Sequence, residues 1–223
     1  MKVIAFSLWG EDSKYNVGAV RNAQLAGVLF PTWECRFYVR PVDGRYPTAI
    51  TQLQQYDNCR IIKVNEQGNW TGMFDRFAAA ADPRVEAMIS RDCDSRLSPR
   101  ERYAVSDWLA SDKRFHIMRD HPWHSAEIMG GMWGAKKGIL PDMSLLIANW
   151  NKENRWQTDQ DFLKEMVYPR VVNDAMVHAS FHQFEDHAIP FPMPRSGVEF
   201  VGEVYDEKEK TVQEHTDFLV RCL

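Results

Sequence analysis

Apolar residues come in short runs separated by longer amphipathic stretches, beginning almost at the first residue. Val3 to Trp9 is a run of strand length, and Tyr15 to Phe30 carries Val17, Val20, Leu25 and Val28 at roughly helical spacing. The alternation then repeats. It predicts a strand over Trp33 to Arg40, a short helix over Thr48 to Tyr56 and a strand over Cys59 to Val64. A helix over Trp70 to Ala81 follows, and then a strand over Val85 to Ser90, launched by Asp82-Pro83. Strand and helix alternating four times predict an α/β chain with a mostly parallel sheet and a Rossmann-like nucleotide-binding half.

Ser98-Pro99-Arg100-Glu101 is a helix start, with an N-cap Ser, Pro at the first helical position and Glu three residues past the cap. That helix is expected to reach Ala110 and to be followed by a strand over Phe115 to Met118. Asp120 to Gly138 is rich in Gly, His and Trp and reads as irregular. Helices are expected over Met143 to Trp150 and Thr158 to Tyr168, the second capped by Thr158, and a strand over Ala175 to Ser180. The Pro-rich run from Pro190 to Pro194 gives way to Val198 to Val204 and a charged C-terminal segment. With no repeat or low-complexity tract, one domain over 1–223 is the simplest organisation. Its parts are a nucleotide-binding first half (1–97), a second half that completes the cleft (98–205) and a C-terminal segment (206–223).

Composition narrows the function. A net charge of −4 argues against a nucleic-acid-binding face, because phosphate backbones demand a basic surface. No stretch approaches the ~18 apolar residues of a membrane span, and the N-terminus shows no cleavable signal pattern. The cysteines at 35, 59, 93 and 222 lack C-x-x-C spacing, so reduced thiols and a cytoplasmic location are expected.

The chemistry centres on Asp92-Cys93-Asp94, where the fourth strand should end. Two carboxylates this close repel each other unless they share a cation, and a hard divalent ion such as Mg²⁺ or Mn²⁺ suits them. Such a metal usually serves a phosphate. Arg91 and Arg96 flank the pair and offer a second reading, in which the acids are structural salt-bridge partners. Cys93 lacks Cys or His companions nearby, which makes zinc a poor fit. Ser7-Leu8-Trp9-Gly10 ends the first strand and is a place for a base and ribose, although neither G-x-G-x-x-G nor G-x-x-x-x-G-K-[ST] occurs.

Together these segments resemble GT-A-type glycosyltransferases. The resemblance runs from Ile89 through Arg91-Asp92-Cys93-Asp94-Ser95-Arg96-Leu97, Arg100-Glu101, Trp108-Leu109, Phe115 to Pro122 with His124, and Gly130-Gly131-Met132-Trp133-Gly134. It continues through Asp159-Gln160-Asp161-Phe162-Leu163, His178-Ala179-Ser180-Phe181, Pro190-Phe191-Pro192 and Phe200-Val201-Gly202-Glu203. The pattern is similar to virus-encoded capsid-glycan glycosyltransferases and, more distantly, to the glycogenin and bacterial galactosyltransferase group.

The resemblance implies a GT-A-like fold and transfer of a sugar from a nucleotide-sugar, most often a UDP-sugar, to a glycan or other hydroxyl acceptor. Mn²⁺ or Mg²⁺ would sit on Asp92 and Asp94, with Asp92 also touching the ribose or sugar. His178 would supply a third ligand, with His182 competing for the role, although Ala179 stands where an acidic residue would be expected. Arg76 and Asp120 would lie near the donor sugar, and Gly130 and Gly131 would let backbone approach it. Asp159 and Gln160 would face donor sugar or acceptor. Asp159, Asp120 and Asp161 are candidates for a general base. Two other readings compete. One is an aspartyl-phosphate phosphohydrolase, whose pattern puts Thr or Val at the position held by Arg96 and places the pair after the first strand. The other is a nucleotide-sugar-binding module without turnover.

Overall fold

Alternate residues of β1 (Lys2–Trp9) face two different cores, Val3 and Ala5 on one side, Ile4, Phe6 and Leu8 on the other. Covered on both faces, the strand has no polar side and reads as one apolar run. The computed structural model describes residues 1–223. Beside β1 lie β2 (Trp33–Arg40) and β4 (Ala87–Ser90), with β3 (Cys59–Lys63) outside β2, and all four strands are parallel. Beyond β4 come β6 (Trp133–Lys136), β5 (Phe115–Arg119) and β7 (Ala175–Ala179), giving one seven-stranded sheet in the order β3-β2-β1-β4-β6-β5-β7. Only β6 runs against its neighbours.

Helices α1 (Ser13–Leu29), α2 (Ala49–Leu53) and α3 (Pro99–Ala110) cover the face holding Ile4 and Phe6. The opposite face is covered by a 3₁₀ helix (Trp70–Ala81), α4 (Met143–Asn149), α5 (Thr158–Phe162) and α6 (Tyr168–Val171). A last helix, α7 (Gln213–Cys222), closes the chain within the stretch that sequence described only as charged. Ser98 caps α3 as expected, its side chain accepting from the Glu101 N–H at 3.2 Å.

Four local expectations change. Trp70–Ala81 is helical but winds as a 3₁₀ helix. At Gly72 its backbone runs so close to β1 and β2 that a Cβ would sit 3.2 Å from Trp9 and 3.3 Å from Arg40. Strand β6 lies inside the stretch read as irregular, since four residues including a Gly carry too little periodicity to show a strand. The helix expected over Thr158 to Tyr168 is three pieces, with a π turn over Leu163–Val167 between α5 and α6. Pro169 has no N–H to bond backwards, so the ladder cannot pass through it unchanged. Thr158 is not the cap. Gln157 holds that position at φ 64°, and Thr158 is buried as the first helical residue.

Candidate functional site

The antiparallel register of β4 and β6 builds the centre of the site. Ser90 pairs with Trp133, and the same register carried past the strand ends sets Gly131 opposite Asp92. The two come so close that a Cβ on residue 131 would overlap the Asp92 carboxylate. Gly130 stands in the same relation to Asp159, and its Cβ would lie 2.8 Å from Arg76 Nη2. Ser90 Oγ donates to the Gly130 carbonyl at 2.8 Å and fixes the loop. The paired glycines therefore make room for the protein's own carboxylates.

Arg76 reaches these carboxylates from the 3₁₀ helix. Arg76 is 3% exposed; Nη1 donates to Asp92 Oδ1 and to the Arg91 carbonyl, and Nη2 donates to Asp159 Oδ2 at 3.1 Å. Burial works against the Arg76 charge, but the two carboxylates outweigh it and raise its pKa. For Asp159 burial wins. Its pKa rises despite Arg76, with the nearby Asp92 charge adding to the effect. Ser7, on the same face of β1 as Val3 and Ala5, positions Arg76 by accepting from its backbone N–H at 3.2 Å.

On the other face, α1 holds the turn that carries Asp94. Lys14, Gly18 and Asn22 recur every fourth residue and form one stripe along the helix. Asn22 donates to the Ser95 carbonyl at 2.8 Å and accepts from the Leu97 N–H at 3.1 Å. A Cβ at Gly18 would overlap the Cys93 carbonyl, so only Gly lets the helix come this near. Lys14, first in the stripe, brings Nζ to 2.9 Å from Asp94 Oδ2. Asp94 has a raised pKa from burial and from the Asp92 charge. Cys93 points inward, Sγ donating to the Ser7 carbonyl at 3.4 Å, and burial pushes its thiol pKa far up. Arg91 pairs with Glu101 and Arg96 with Glu209, so neither neutralises the acidic pair.

Asp92, Asp94, Arg76 and Asp159 share the wall of a cavity of about 770 Å³, together with Ser7, Leu8, Gly130, Gly131 and Gln160. That volume lies in the range of small-ligand sites, and its position beyond the carboxyl ends of β1 and β4 is where α/β sheets collect ligands. No protein-family model and no curated protein sequence matches the chain. Solved structures do. A glycosyltransferase involved in glycosylation of the major capsid of PBCV-1 superposes with a TM-score of 0.53 at 16% identity, over 80% of this chain and 81% of that one. The galactosyltransferase LgtC, solved with donor and acceptor sugar analogues, gives 0.50 at 13% identity over 80% and 73%. TarS of S. aureus gives 0.52 at 10% over 81% and 59%. The chain has the GT-A-type fold.

Within this GT-A fold several expected residues lie elsewhere. His178 does not line the cavity or reach Asp92 and Asp94; one ring nitrogen meets His116 Nε2 at 2.9 Å and the other Asp107 Oδ2 at 3.2 Å. The strand register of β7 against β5 buries it on the α3 side, which corrects its assignment as a metal ligand. His182 is exposed and bonded to the Pro122 carbonyl. Asp120 is corrected as a catalytic candidate. It is fully buried, and its two oxygens accept from Arg100, Arg195, Ser180 Oγ and the Val201 N–H, leaving nothing for substrate. Asp161 pairs with exposed Arg155 and is absent from the cavity wall.

Sequence reading missed other wall residues: Tyr15, Trp123, His124, Trp156 and His215. The concentration of His and Trp after Asp120 was the signal for Trp123 and His124. Nothing local marked His215, which arrives with α7. That helix docks through a Phe218–Trp123 stack, centroids 5.0 Å apart, and through His121 Nε2 donating to the His215 carbonyl at 3.0 Å.

No three His, Cys, Asp or Glu side chains form a ready metal cluster. Asp92 and Asp94 nevertheless supply an all-oxygen donor pair. Two carboxylates completed by diphosphate oxygens and water match the habits of Mg²⁺ and Mn²⁺. No helix is long and apolar enough to cross a membrane, and all four cysteines are free.

Proposed function

We propose that the chain transfers a sugar from a nucleotide-sugar, a UDP-sugar with Mn²⁺ or Mg²⁺ on Asp92 and Asp94, to a glycan or other hydroxyl acceptor. The observation that carries this reading is the convergence of Asp92, Asp94, Arg76, Asp159 and the paired glycines on one cavity in a GT-A fold. The phosphohydrolase reading loses its support because the acidic pair follows the fourth strand of this sheet. The free thiols suit a reducing compartment such as the cytoplasm.

In the transfer, the acceptor oxygen replaces the diphosphate oxygen on the anomeric carbon, and the nucleoside diphosphate departs. A metal held by Asp92 and Asp94 would supply neutralisation of the charge gathering on that leaving group. Ser7 and Leu8 border the base and ribose; Gly130, Gly131 and Gln160 border the sugar. Arg76 holds Asp92 and Asp159 in a fixed relation around the reacting sugar. Asp159 faces the cavity, and burial makes its carboxylate a better proton acceptor than an exposed Asp, so it is placed to take the acceptor hydroxyl's proton.

The test is thermal shift and UDP release across UDP- and GDP-sugars, with and without Mn²⁺, on wild type and Asp94→Asn. Metal-dependent binding and slow UDP release by wild type, both lost in Asp94→Asn, are expected. Binding with no release in the presence of any acceptor would instead support a non-catalytic module. Absence of binding to any nucleotide-sugar would overturn the proposal.

A further inference from the structure

Five carboxylates, Glu11, Asp12, Asp92, Asp94 and Asp159, face the cavity, and Arg76 is the only Lys or Arg in its wall. A diphosphate entering such a cavity meets mostly negative charge, so the placing of each cation matters. Lys14 stands just behind the wall with Nζ 2.9 Å from Asp94 Oδ2, the two side chains 30% and 15% exposed. Its ammonium also lies 4.4 Å from the centre of the Tyr15 ring.

Lys14 is the second residue of a 17-residue helix, where the helix dipole opposes a cation even though Asp12 caps that end by accepting from the Lys14 N–H at 3.0 Å. What offsets this is Asp94, reached because the Lys14–Gly18–Asn22 stripe holds α1 against residues 93–97. Asp92 is arranged alike, with Arg76 on Oδ1. Each member of the acidic pair therefore already has one oxygen engaged by a protein cation.

We propose that Lys14 is a placeholder cation that keeps Asp94 from binding a divalent metal tightly until a nucleotide diphosphate brings further oxygen ligands. This rests on the donor reading given above. A metal approaching Asp94 meets an ammonium already bonded to the same carboxylate, and the repulsion between the two lowers its affinity. Diphosphate oxygens add the missing negative charge and ligands, so metal and nucleotide bind together. A two-carboxylate site with no third protein ligand is consistent with that order. Lys14 acts through Asp94 and is a positioning residue.

The experiment titrates Mn²⁺ into nucleotide-free protein and follows the free ion by its electron paramagnetic resonance signal. Lys14→Met, which keeps the length and removes the charge, should bind Mn²⁺ about tenfold more tightly than wild type, or ~1.4 kcal/mol. Lys14→Arg, which keeps the charge, should stay close to wild type, and Lys14→Gln serves if the Met variant does not fold. In wild type, saturating UDP should tighten Mn²⁺ binding more than it does in Lys14→Met. Unchanged or weaker Mn²⁺ binding by both uncharged variants overturns the placeholder role, while the donor reading stands if Asp94→Asn still loses the metal. If wild type binds no Mn²⁺ even with UDP, the metal assignment fails and this proposal fails with it.

Discussion

Arg76 Nη2 donates to Asp159 Oδ2 at 3.1 Å, while Nη1 of the same guanidinium holds Asp92. One planar fork thereby joins the turn after β4 to the start of α5, across 83 residues of chain in the case of Asp159. Arg can serve two carboxylates at once because its donors point in fixed directions, which the single ammonium of Lys cannot imitate.

Arg76→Met should destabilise the protein by about 3–5 kcal/mol, because it leaves the buried Asp159 carboxylate without its partner. Arg76→Lys should recover only part of the loss. Urea unfolding of both variants, and of Arg76→Met combined with Asp159→Asn, checks this. The double variant should be more stable than the sum of the single losses implies, since the unpaired charge is gone.

Gly131→Ala should separate binding from stability. The new Cβ displaces the Asp92 carboxylate, whose side chain is 45% exposed and can swing outward, giving up Arg76 while Arg76 keeps the Arg91 carbonyl and Asp159 as partners. UDP binding in Mn²⁺ is expected to weaken by about tenfold or more, ~1.4 kcal/mol, with little change in melting temperature. Calorimetric titration alongside a thermal melt decides it; a large drop in melting temperature with unaltered affinity would contradict the role given to the glycine.

His178→Gln should leave Mn²⁺ affinity unchanged. Its ring is spent on His116 and Asp107, and the variant leaves the buried His116 without its partner, a loss of about 1–3 kcal/mol in stability. Metal titration and chemical denaturation on the same preparation measure both quantities.

Asp120→Asn should act on the fold. Two arginines, a hydroxyl and a backbone N–H converge on this fully buried carboxylate. Removing its charge is expected to cost about 3–5 kcal/mol, while the folded fraction keeps wild-type nucleotide affinity. A hundredfold loss of transfer in a variant of unaltered stability would restore it as a catalytic group.

His124 should make the protein acid-sensitive. Burial, reinforced by His121, pushes its pKa from the ordinary 6.5 down to about 3. The unfolded chain takes up a proton below 6.5 and the folded protein does not until about 3, so stability is complete above 6.5 and lost as the pH falls. Between pH 7 and pH 5 this amounts to about 2 kcal/mol. His124→Asn retains an acceptor for the Asp120 N–H, now made to Nδ1 at 3.1 Å, and should flatten the pH dependence by that amount in urea melts.

The alternation of apolar runs in the first ninety residues was readable because each element carries its own periodicity. A strand buried on both faces is apolar almost throughout, and Ser98-Pro99-Arg100-Glu101 states a helix start in four letters. The same local character marked Asp92 and Asp94, since two carboxylates one residue apart at a strand end repel each other and call for cations. Strand β6 escaped notice because its four residues are defined by their pairing with β4 and β5 and not by any pattern of their own.

The site divides along the same line. Sequence by itself determined the α/β class, the acidic pair and the paired glycines, all of which are properties of neighbouring residues. Only the tertiary structure decided the partners. It set Arg76 between two carboxylates, Lys14 on Asp94 and His178 on Asp107, and it sealed Asp120 among arginines. Those contacts join residues from 16 to 83 positions apart. Which ring nitrogen or carboxylate oxygen is left for a ligand depends on what the packed elements have already bonded, and packing is a property of the whole sheet.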